Sequence, residues 1–288
     1  MKLNADLLLN GPRRITRQQF TARDTILYAL GIGAGQTSDP EDLPFIYECQ
    51  LQAFPTLAIV LAAPPFWLAD PAFGIDWKKV VNAGQEMILE APLPVDGDVS
   101  TELQIDALWD KGPAKGALMC SSRRLRDRSG QLLATIHQTH LLRGNGGFGG
   151  VDQPATEDSA PPASKPDASI DLPTRIEQGL IYRLSGDLNP LHIDPDVARA
   201  AGFDRPILHG SCTFGVVARA VLKAAARNRP NALMRFGARF SKPVYPGDTI
   251  RTEIWQEGPR IWFRALAVER EVVVLDRGVA ELVAESRT

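Results

Sequence analysis

The sequence predicts an α+β protein with two similar halves, in each of which helices pack against an antiparallel sheet. Alternating apolar residues, typical of strands, fill residues 85–142 and 234–283. A helical stretch precedes each of these runs, and this order favours helices packed on one face of an antiparallel sheet. An internal repeat is the third observation that supports the prediction.

The repeat is clearest where the strand-rich part of each half begins. PLPVDGDVSTEL at 92–103 resembles KPVYPGDTIRTEI at 242–254, with an offset of 150 residues between Gly97 and Gly247. Each segment leads to a tryptophan, a Gly-Pro turn and a later turn with glycine: Trp109, Gly112-Pro113 and Ser129-Gly130, then Trp255, Gly258-Pro259 and Arg277-Gly278. A duplicated domain is the economical explanation.

A polar, proline-rich segment separates the two halves. Residues 144–165 begin with GNGGFGG and continue without apolar periodicity, which is the composition of a linker. The glycines are not a dinucleotide fingerprint, because no strand–glycine–helix unit surrounds them. We therefore predict an N-terminal domain at 1–150, a linker at 151–169 and a C-terminal domain at 170–288.

Composition excludes several classes of function. The 288 residues carry a net charge of −2, which gives no electrostatic reason to bind nucleic acid or an anionic membrane. Prolines break Phe54–Ala69, the most apolar run, so we expect no membrane span.

The N-terminus does not look like a signal peptide, and the C-terminal Glu-Ser-Arg-Thr is not a Ser-Lys-Leu peroxisomal signal. Three cysteines without metal or redox spacing indicate reduced thiols and a cytoplasmic protein.

Residues that can bind or move protons cluster at the start of the second half. Apolar residues predict a short helix through Leu184, which Ser185-Gly186 ends. Asp187, Asn189 and His192 follow, and Pro190 forces Asn189 into an extended conformation. A rigid, bent loop of this kind can direct Asp187 and His192 at one point.

Two helices are predicted beyond this loop. Asp194 caps a short helix that Gly202 ends, and Leu208-His-Gly-Ser leads into a longer helix over 212–226. Near Gly210 the first N–H groups of this helix have no helical partner, and the helix dipole adds positive charge. Such a position can stabilise a developing oxyanion.

The run YRLSGDLNPLH from Tyr182 to His192, with the His-Gly pair at 209–210, resembles the signature of the MaoC-like (R)-specific enoyl-CoA hydratases, hydratase 2 branch. The resemblance implies a double hot-dog fold, in which each half wraps a curved antiparallel sheet around one long helix. It implies that Asp187, Asn189 and His192 are catalytic and that Gly210 supplies an oxyanion-hole amide. The implied reaction converts trans-2-enoyl-CoA to (3R)-3-hydroxyacyl-CoA, or the reverse, without metal or redox cofactor and with coenzyme A as part of the substrate.

The resemblance also implies where the acyl-CoA substrate binds. Lys111 matches a lysine that contacts the coenzyme, and Phe240 matches a phenylalanine that contacts the substrate. Asn82 and Ala83 stand where the family has the first two residues of His-Gly-Glu-Gln, a departure that signals a different acyl group. The family often forms dimers of the two-domain chain, so a homodimer is expected.

The first half is expected to lack catalytic residues. Ile26–Gly33 can be laid over Leu180–Asp187, which sets Gly33 opposite Asp187. One active site per chain follows, and the resemblance assigns the first half to accommodating the acyl chain and the coenzyme.

The residue types suit hydration of an enoyl thioester. We assign His192 as the base toward water and Asp187 as the group that protonates C2, although the reverse assignment is also chemically acceptable. Asn189 would orient the water or the carboxylate, because an amide donates and accepts hydrogen bonds without titrating.

Other interpretations of the same residues remain open. Asp187 and Asn189 could form only a capping and turn pair. His192, His209 and Asp194 could bind a metal ion, although we favour no metal. His209 alone is expected to be a structural or helix-start residue. At the level of function, the alternatives are a hot-dog acyl-CoA thioesterase and a non-catalytic acyl-CoA-binding protein.

Overall fold

Ten antiparallel strands form one continuous sheet. The computed structural model describes residues 3–37, 39–153 and 160–283. The strand order is β1-β3-β4-β5-β2-β7-β10-β9-β8-β6. The strands are β1 Arg14–Phe20, β2 Val80–Leu89, β3 Gly97–Asp110, β4 Ala117–Asp127, β5 Leu132–Leu142, β6 Ala168–Pro173, β7 Leu233–Phe240, β8 Thr249–Glu257, β9 Arg260–Ala267 and β10 Val272–Leu282.

The strand order confirms the duplicated α+β architecture. From the centre of the sheet outward, the strand order is β2-β5-β4-β3-β1 in the first half and β7-β10-β9-β8-β6 in the second. Each strand of the first half therefore corresponds to the strand of the second half whose number is higher by five. The halves join where β2 pairs with β7, from Gly84 opposite Arg239 to Ile88 opposite Arg235. The internal repeat seen in the sequence is therefore a repeat of topology.

The longest helix lies in the second half. It is α6, Gly210–Ala226, whose apolar side chains are buried against β6, β7 and β8. Phe214 on this helix packs edge-on against Phe236 of β7, with ring centroids 4.6 Å apart. The other α-helices are α1 Ala5–Asn10, α2 Ala22–Gly31, α3 Leu43–Ile46, α4 Gln178–Tyr182 and α5 Pro195–Ala200.

The first half does not have the long helix that the resemblance led us to expect. Within the described residues up to 153, its longest helix is α2, and short 3-10 turns occupy 40–79. Pro55, Pro64, Pro65 and Pro71 prevent a continuous helix there, because proline removes a helical N–H and clashes with the preceding turn. The buried turn Pro55–Ile59 instead packs against β2, β5 and α6.

The 3-10 turns connect the longer elements throughout the described chain. They are Pro40–Asp42, Glu48–Gln50, Pro55–Ile59, Trp67–Ala69, Pro71–Phe73, Trp77–Lys79, Arg183–Ser185, Pro190–His192, Pro230–Ala232 and Val268–Arg270. No helix in the parts of the chain that the structure describes is long and apolar enough to cross a membrane.

Contacts across the two halves extend beyond the sheet. Helices α2 and α4 pack together, and Tyr28 and Tyr182 lie with ring centroids 5.9 Å apart. Arg219 of α6 forms a buried ion pair with Asp42, at 2.7 Å between Nη2 and Oδ2. Gly33, which the repeat sets opposite Asp187, lies beside the Arg219 guanidinium.

The segment between the halves is more ordered at its edges than a linker composition suggests. The Asp110 carboxylate accepts hydrogen bonds from the N–H groups of Gly147 (2.7 Å) and Gly149 (2.8 Å), which fixes the glycine-rich stretch on the turn between β3 and β4. Strand β6 begins at Ala168, within the predicted linker 151–169. Residues 154–159 of that linker lie outside the described residues.

The turn predicted at Arg277-Gly278 was wrong. These residues lie inside β10, where the pairing with β9 shifts register and Arg277 has a φ of +52°. The chain turns earlier, at Val268–Arg270. Gly278 has a packing reason instead, because a Cβ there would lie 2.3 Å from the Phe263 ring.

Candidate active site

The loop from Gly186 to His192 is held by its own side chains. Gly186 ends the helical turn with a φ of +121°, and Pro190 opens the short turn that carries His192. The Asn189 N–H donates to Asp187 Oδ1 (3.2 Å), and the Leu191 N–H donates to Asn189 Oδ1 (3.1 Å). Asp187 and Asn189 therefore do form the capping and turn hydrogen bonds that the alternative interpretation of these residues predicted. They also make the loop rigid and leave the second Asp187 oxygen available.

His192 is placed to act as a base. Its residue surface is only 9 % exposed, and its Nδ1 lies 2.8 Å from the Ile207 carbonyl oxygen. Since a carbonyl can only accept, Nδ1 carries the proton and donates, which leaves the Nε2 lone pair free in the neutral ring. Burial lowers the pKa of His192 below its ordinary value, although Asp187 and the Ile207 carbonyl partly oppose this.

Asp187 and His192 converge, and His209 joins them. One oxygen of the Asp187 carboxylate and one ring nitrogen from each histidine all lie within 4.8 Å of one another. The His192 and His209 rings are stacked, with centroids 3.7 Å apart and planes inclined by 29°. Asp187 itself is exposed, so the group of three opens to solvent on the carboxylate side.

A metal site would need a different arrangement from the one that sequence reasoning proposed. Asp194 is not part of the cluster, because its carboxylate caps α5 by accepting from the Asp196 and Val197 N–H groups. Asp187 stands with the two histidines instead. One ring nitrogen of each histidine already lies at hydrogen-bond distance from a backbone carbonyl oxygen, His192 Nδ1 from that of Ile207 and His209 Nε2 from that of Asp187.

Gly210 is the first residue of α6, with His209 as its N-cap. The first intrahelical bond joins the Thr213 N–H to the His209 carbonyl (3.0 Å), so the Gly210 N–H points out of the helix without an intrahelical partner. Phe240 of β7 lies close, since a Cβ on Gly210 would be 3.1 Å from its ring. The predicted amide donor and the predicted substrate-contacting phenylalanine are thus neighbours.

The first half contributes to the same place. Ala83 precedes Gly84 of β2, which is opposite Arg239 of β7, and the pairing of β2 with β5 shifts register between Asn82 and Gly84. The Ser211 hydroxyl donates to Gln85 Oε1 (3.2 Å), which joins β2 to the first turn of α6. Asn82 Oδ1 is buried without a hydrogen-bond partner in the described structure. Asn82 and Ala83 therefore lie along the strand that borders the start of α6.

Lys111 is not among the side chains that meet at Asp187 and His192. It lies in the turn between β3 and β4, where its ammonium pairs with Asp152 at 2.8 Å. Asp152 also has its pKa lowered by Lys111, the Gln153 N–H and, more weakly, Lys115. This turn therefore carries Lys111 and Lys115 beside the carboxylates of Asp110 and Asp152.

His209 is the member of the cluster that sequence reasoning placed outside the chemistry. It lies between the Tyr182 ring, at a centroid distance of 5.0 Å, and the His192 ring. The His-Gly dipeptide was the signal that marked the position. Its partners could not be read from the sequence, because they come from residues 17 or more positions upstream.

The duplicated sheet, with Asp187, His192 and His209 grouped beside the start of its long helix, has the architecture of the double hot-dog proteins. Two family models match: the MaoC like domain over residues 157–277, and the MFE-2 hydratase 2 N-terminal domain over residues 18–144. Together they cover both halves of the duplicated chain.

Relatives and solved structures agree with these matches. Enoyl-CoA hydratase ChsH3 of Mycobacterium tuberculosis is 37% identical over 97% of this chain and 98% of its own length. 3-Hydroxyacyl-thioester dehydratase Y of the same organism is 41% identical over 92% of this chain and 94% of its own. The crystal structure of a MaoC-like dehydratase from Phytophthora capsici superposes with a TM-score of 0.87, at 31% identity, covering 99% and 100% of the two chains. The chain belongs to the MaoC-like enoyl-CoA hydratase family, in its hydratase 2 branch.

Proposed function

We propose that this protein adds water to trans-2-enoyl-CoA to give (3R)-3-hydroxyacyl-CoA, and catalyses the reverse dehydration. The observation that carries the proposal is the convergence of Asp187 with a neutral, buried His192 within 4.8 Å, beside the start of α6. The names of the two mycobacterial relatives describe the two directions of such a reaction.

The proposed reaction begins with a water molecule held between Asp187 and His192. The free Nε2 of His192 removes a proton from the water as its oxygen bonds to C3. The electrons of the double bond move to the thioester oxygen, and the Gly210 N–H stabilises the resulting enolate. The proton on His192 then passes to the Asp187 carboxylate, and Asp187 delivers it to C2, which leaves both groups as they began. Each proton transfer of this kind contributes roughly 10²- to 10⁴-fold in rate.

The stereochemistry follows from the shared side of the two groups. Asp187 and His192 meet on one side of the bound enoyl group, so hydroxyl and hydrogen add to the same face. With the thioester oxygen fixed at Gly210, only one face of C3 is presented to the water. We assign the (R) alcohol to this face, in agreement with the hydratase 2 branch. The Asn189 amide, tied into the turn by Leu191, holds the loop that carries both groups.

The proposal requires no metal or redox cofactor, because a proton-transfer pair and an amide donor supply every step. The substrate partner is an acyl-CoA, whose anionic end can meet Lys111. We further propose a cytoplasmic homodimer. The three cysteines, Cys49, Cys120 and Cys212, are free thiols, which suits a reducing compartment.

The direct test is hydration of crotonyl-CoA and decenoyl-CoA. The loss of absorbance of the conjugated thioester monitors the reaction, and chiral analysis identifies the alcohol that forms. We expect both substrates to be consumed and the (R) alcohol to form. An (S) alcohol would contradict the proposed face of attack. Release of free thiol from a saturated acyl-CoA would favour a thioesterase instead.

Two variants test the assigned pair. Asp187→Asn and His192→Ala are expected to lower kcat by on the order of 10²-fold or more, because each removes one proton transfer. Circular dichroism and the melting temperature should show that both variants fold. Turnover close to that of the wild type in both would remove these assignments, and binding of acyl-CoA without any wild-type turnover would favour a non-catalytic binding protein.

A further inference from the structure

We propose that His209 is a positioning residue for the reaction: its ring, held neutral, fixes the Asp187 backbone and the His192 ring at the same time. This inference rests on the proposed function. It assigns a role to the one member of the titratable cluster that the proton transfers do not use.

His209 contacts both members of the pair by different means. Its Nε2 lies 3.1 Å from the Asp187 carbonyl oxygen, so Nε2–H donates to that backbone group. Its ring stacks on His192 at 3.7 Å. The Tyr182 ring lies 5.0 Å away, and the His209 side chain is fully buried. A shift of His209 would therefore move the acid and the base together.

The Nδ1 atom of His209 indicates that this residue does more than fill space in the core. His209 Nδ1 is buried and has no hydrogen-bond partner in the described structure. A buried nitrogen without a partner carries a desolvation cost that a phenylalanine at this position would avoid. Unlike phenylalanine, His209 can donate a hydrogen bond to the Asp187 carbonyl oxygen.

His209 remains neutral over the pH range in which the enzyme is expected to work. Burial, together with a smaller effect of the neighbouring His192, lowers its pKa to about 4, against an opposing effect of Asp187. The titratable and charged groups around the two rings are Asp187, Arg183 and Tyr182. A cationic His209 would repel the imidazolium that His192 becomes after taking the proton from water, so neutrality is part of the role.

Three substitutions separate the donor from the ring. His209→Phe keeps a stacking ring and removes the donor, His209→Gln keeps an amide donor and removes the ring, and His209→Ala removes both. We expect His209→Phe to lower kcat by ~10- to 100-fold through misplacement of Asp187, with KM for crotonyl-CoA changed less than about twofold. His209→Gln should retain more of kcat than His209→Phe.

The pH profile supplies a second readout, which separates the filling of space beside His192 from the hydrogen bond to Asp187. In the wild type the acid limb of kcat/KM should lie below the ordinary histidine pKa, because burial disfavours protonated His192. His209→Ala opens the space beside His192 to water, so its acid limb should move upward in pH. His209→Phe keeps that space filled and should leave the limb in place. If His209→Ala does not fold, the Phe and Gln variants still separate donor from ring.

Failure of this inference can be told apart from failure of the proposed function. The pKa and tautomer of His192 are measured by NMR titration without substrate, so the rise in His209→Ala is observable even if no hydration occurs. Equal loss of kcat in Phe and Gln variants, in proportion to their loss of melting temperature and with unchanged pH profiles, would overturn the positioning role. Normal kcat in His209→Phe would overturn it as well.

Discussion

His192 and Asp187 have opposite surroundings, and this difference supports the proposed division of the proton transfers between them. The imidazole is buried and bonded through Nδ1, which fixes a neutral ring with one free lone pair. The carboxylate is exposed and keeps one oxygen outside the turn. Only the carboxylate side is open to an incoming substrate and water. These properties support His192 as the base, the assignment that the sequence left interchangeable with its reverse.

Single residues of the site differ in how far the sequence could identify them. The bent loop at Pro190 led us to expect that Asp187 and His192 point at one place, whereas the assignment of Asn189 and Gly210 to the site came from the resemblance to the hydratase family. The stacking of His209 on His192 depends on how the chain between them folds back. No local pattern encodes that contact, and the sequence therefore assigned His209 only to structure.

Lys111 can be tested with truncated substrates. Lys111→Ala is expected to raise KM for crotonyl-CoA several-fold, because a cation that attracts the anionic nucleotide end is lost. The same variant should leave KM for crotonyl-pantetheine unchanged, since that substrate lacks the nucleotide. Steady-state kinetics on both thioesters make the comparison.

The control for Lys111 is an exposed lysine outside the site. Lys165→Ala, in the segment between the halves, removes the same charge from the whole molecule. It should change neither KM. An equal rise in KM on both thioesters for Lys111→Ala would contradict a contact with the coenzyme.

Helix α6 begins with Gly210, the proposed oxyanion donor, and this position makes the proposal testable. Gly210→Pro removes the N–H, yet proline is well tolerated at the first position of a helix. We expect kcat to fall by roughly 10²- to 10³-fold, the effect of losing one oxyanion-hole donor. Steady-state kinetics measure the fall in kcat, and the helical circular dichroism signal shows whether the helix is retained.

Gly210→Ala separates the lost amide from steric effects. Alanine keeps the N–H, but its Cβ would lie 3.1 Å from the Phe240 ring, which must shift slightly. Its kcat should therefore stay well above that of Gly210→Pro. Similar losses in the two variants would show that space beside Phe240, rather than the amide, limits turnover.

The elements around the site were predicted where their signals are local. The helix that Asp194 caps and Gly202 ends, and the long helix that follows His209, are observed as α5 and α6. The expectation of a long helix in the first half came from the resemblance and was wrong, because the prolines between 55 and 71 interrupt that stretch. Arg277-Gly278 was mistaken for a turn because a bulge and a turn favour the same residues.

The whole molecule depends on contacts that cross between the halves. Arg219 and Asp42, exposed by 4% and 1%, form such a contact. Arg219→Met is expected to lower the free energy of unfolding by about 3–5 kcal/mol, because it leaves a buried carboxylate without its main partner. Urea unfolding measures the change, and tryptophans in both halves should report one transition.

A double-mutant cycle and a surface pair complete this experiment. Adding Asp42→Asn to Arg219→Met should recover part of the lost stability, since the uncompensated charge is removed. Arg251→Met breaks the exposed ion pair with Asp171 and should have a much smaller effect. Additive losses in the cycle would contradict coupling between Arg219 and Asp42.

Because one polypeptide encodes both halves, the sequences of the two halves can diverge from each other. In a symmetric pair of identical subunits, every substitution appears twice, so an ancestral acid could not be kept in one copy and discarded in the other. Here the position opposite Asp187 is Gly33, and the Arg219 guanidinium lies against it. In the proposed enzyme with one active site per chain, the first half is therefore free to change its shape around the acyl group without loss of Asp187.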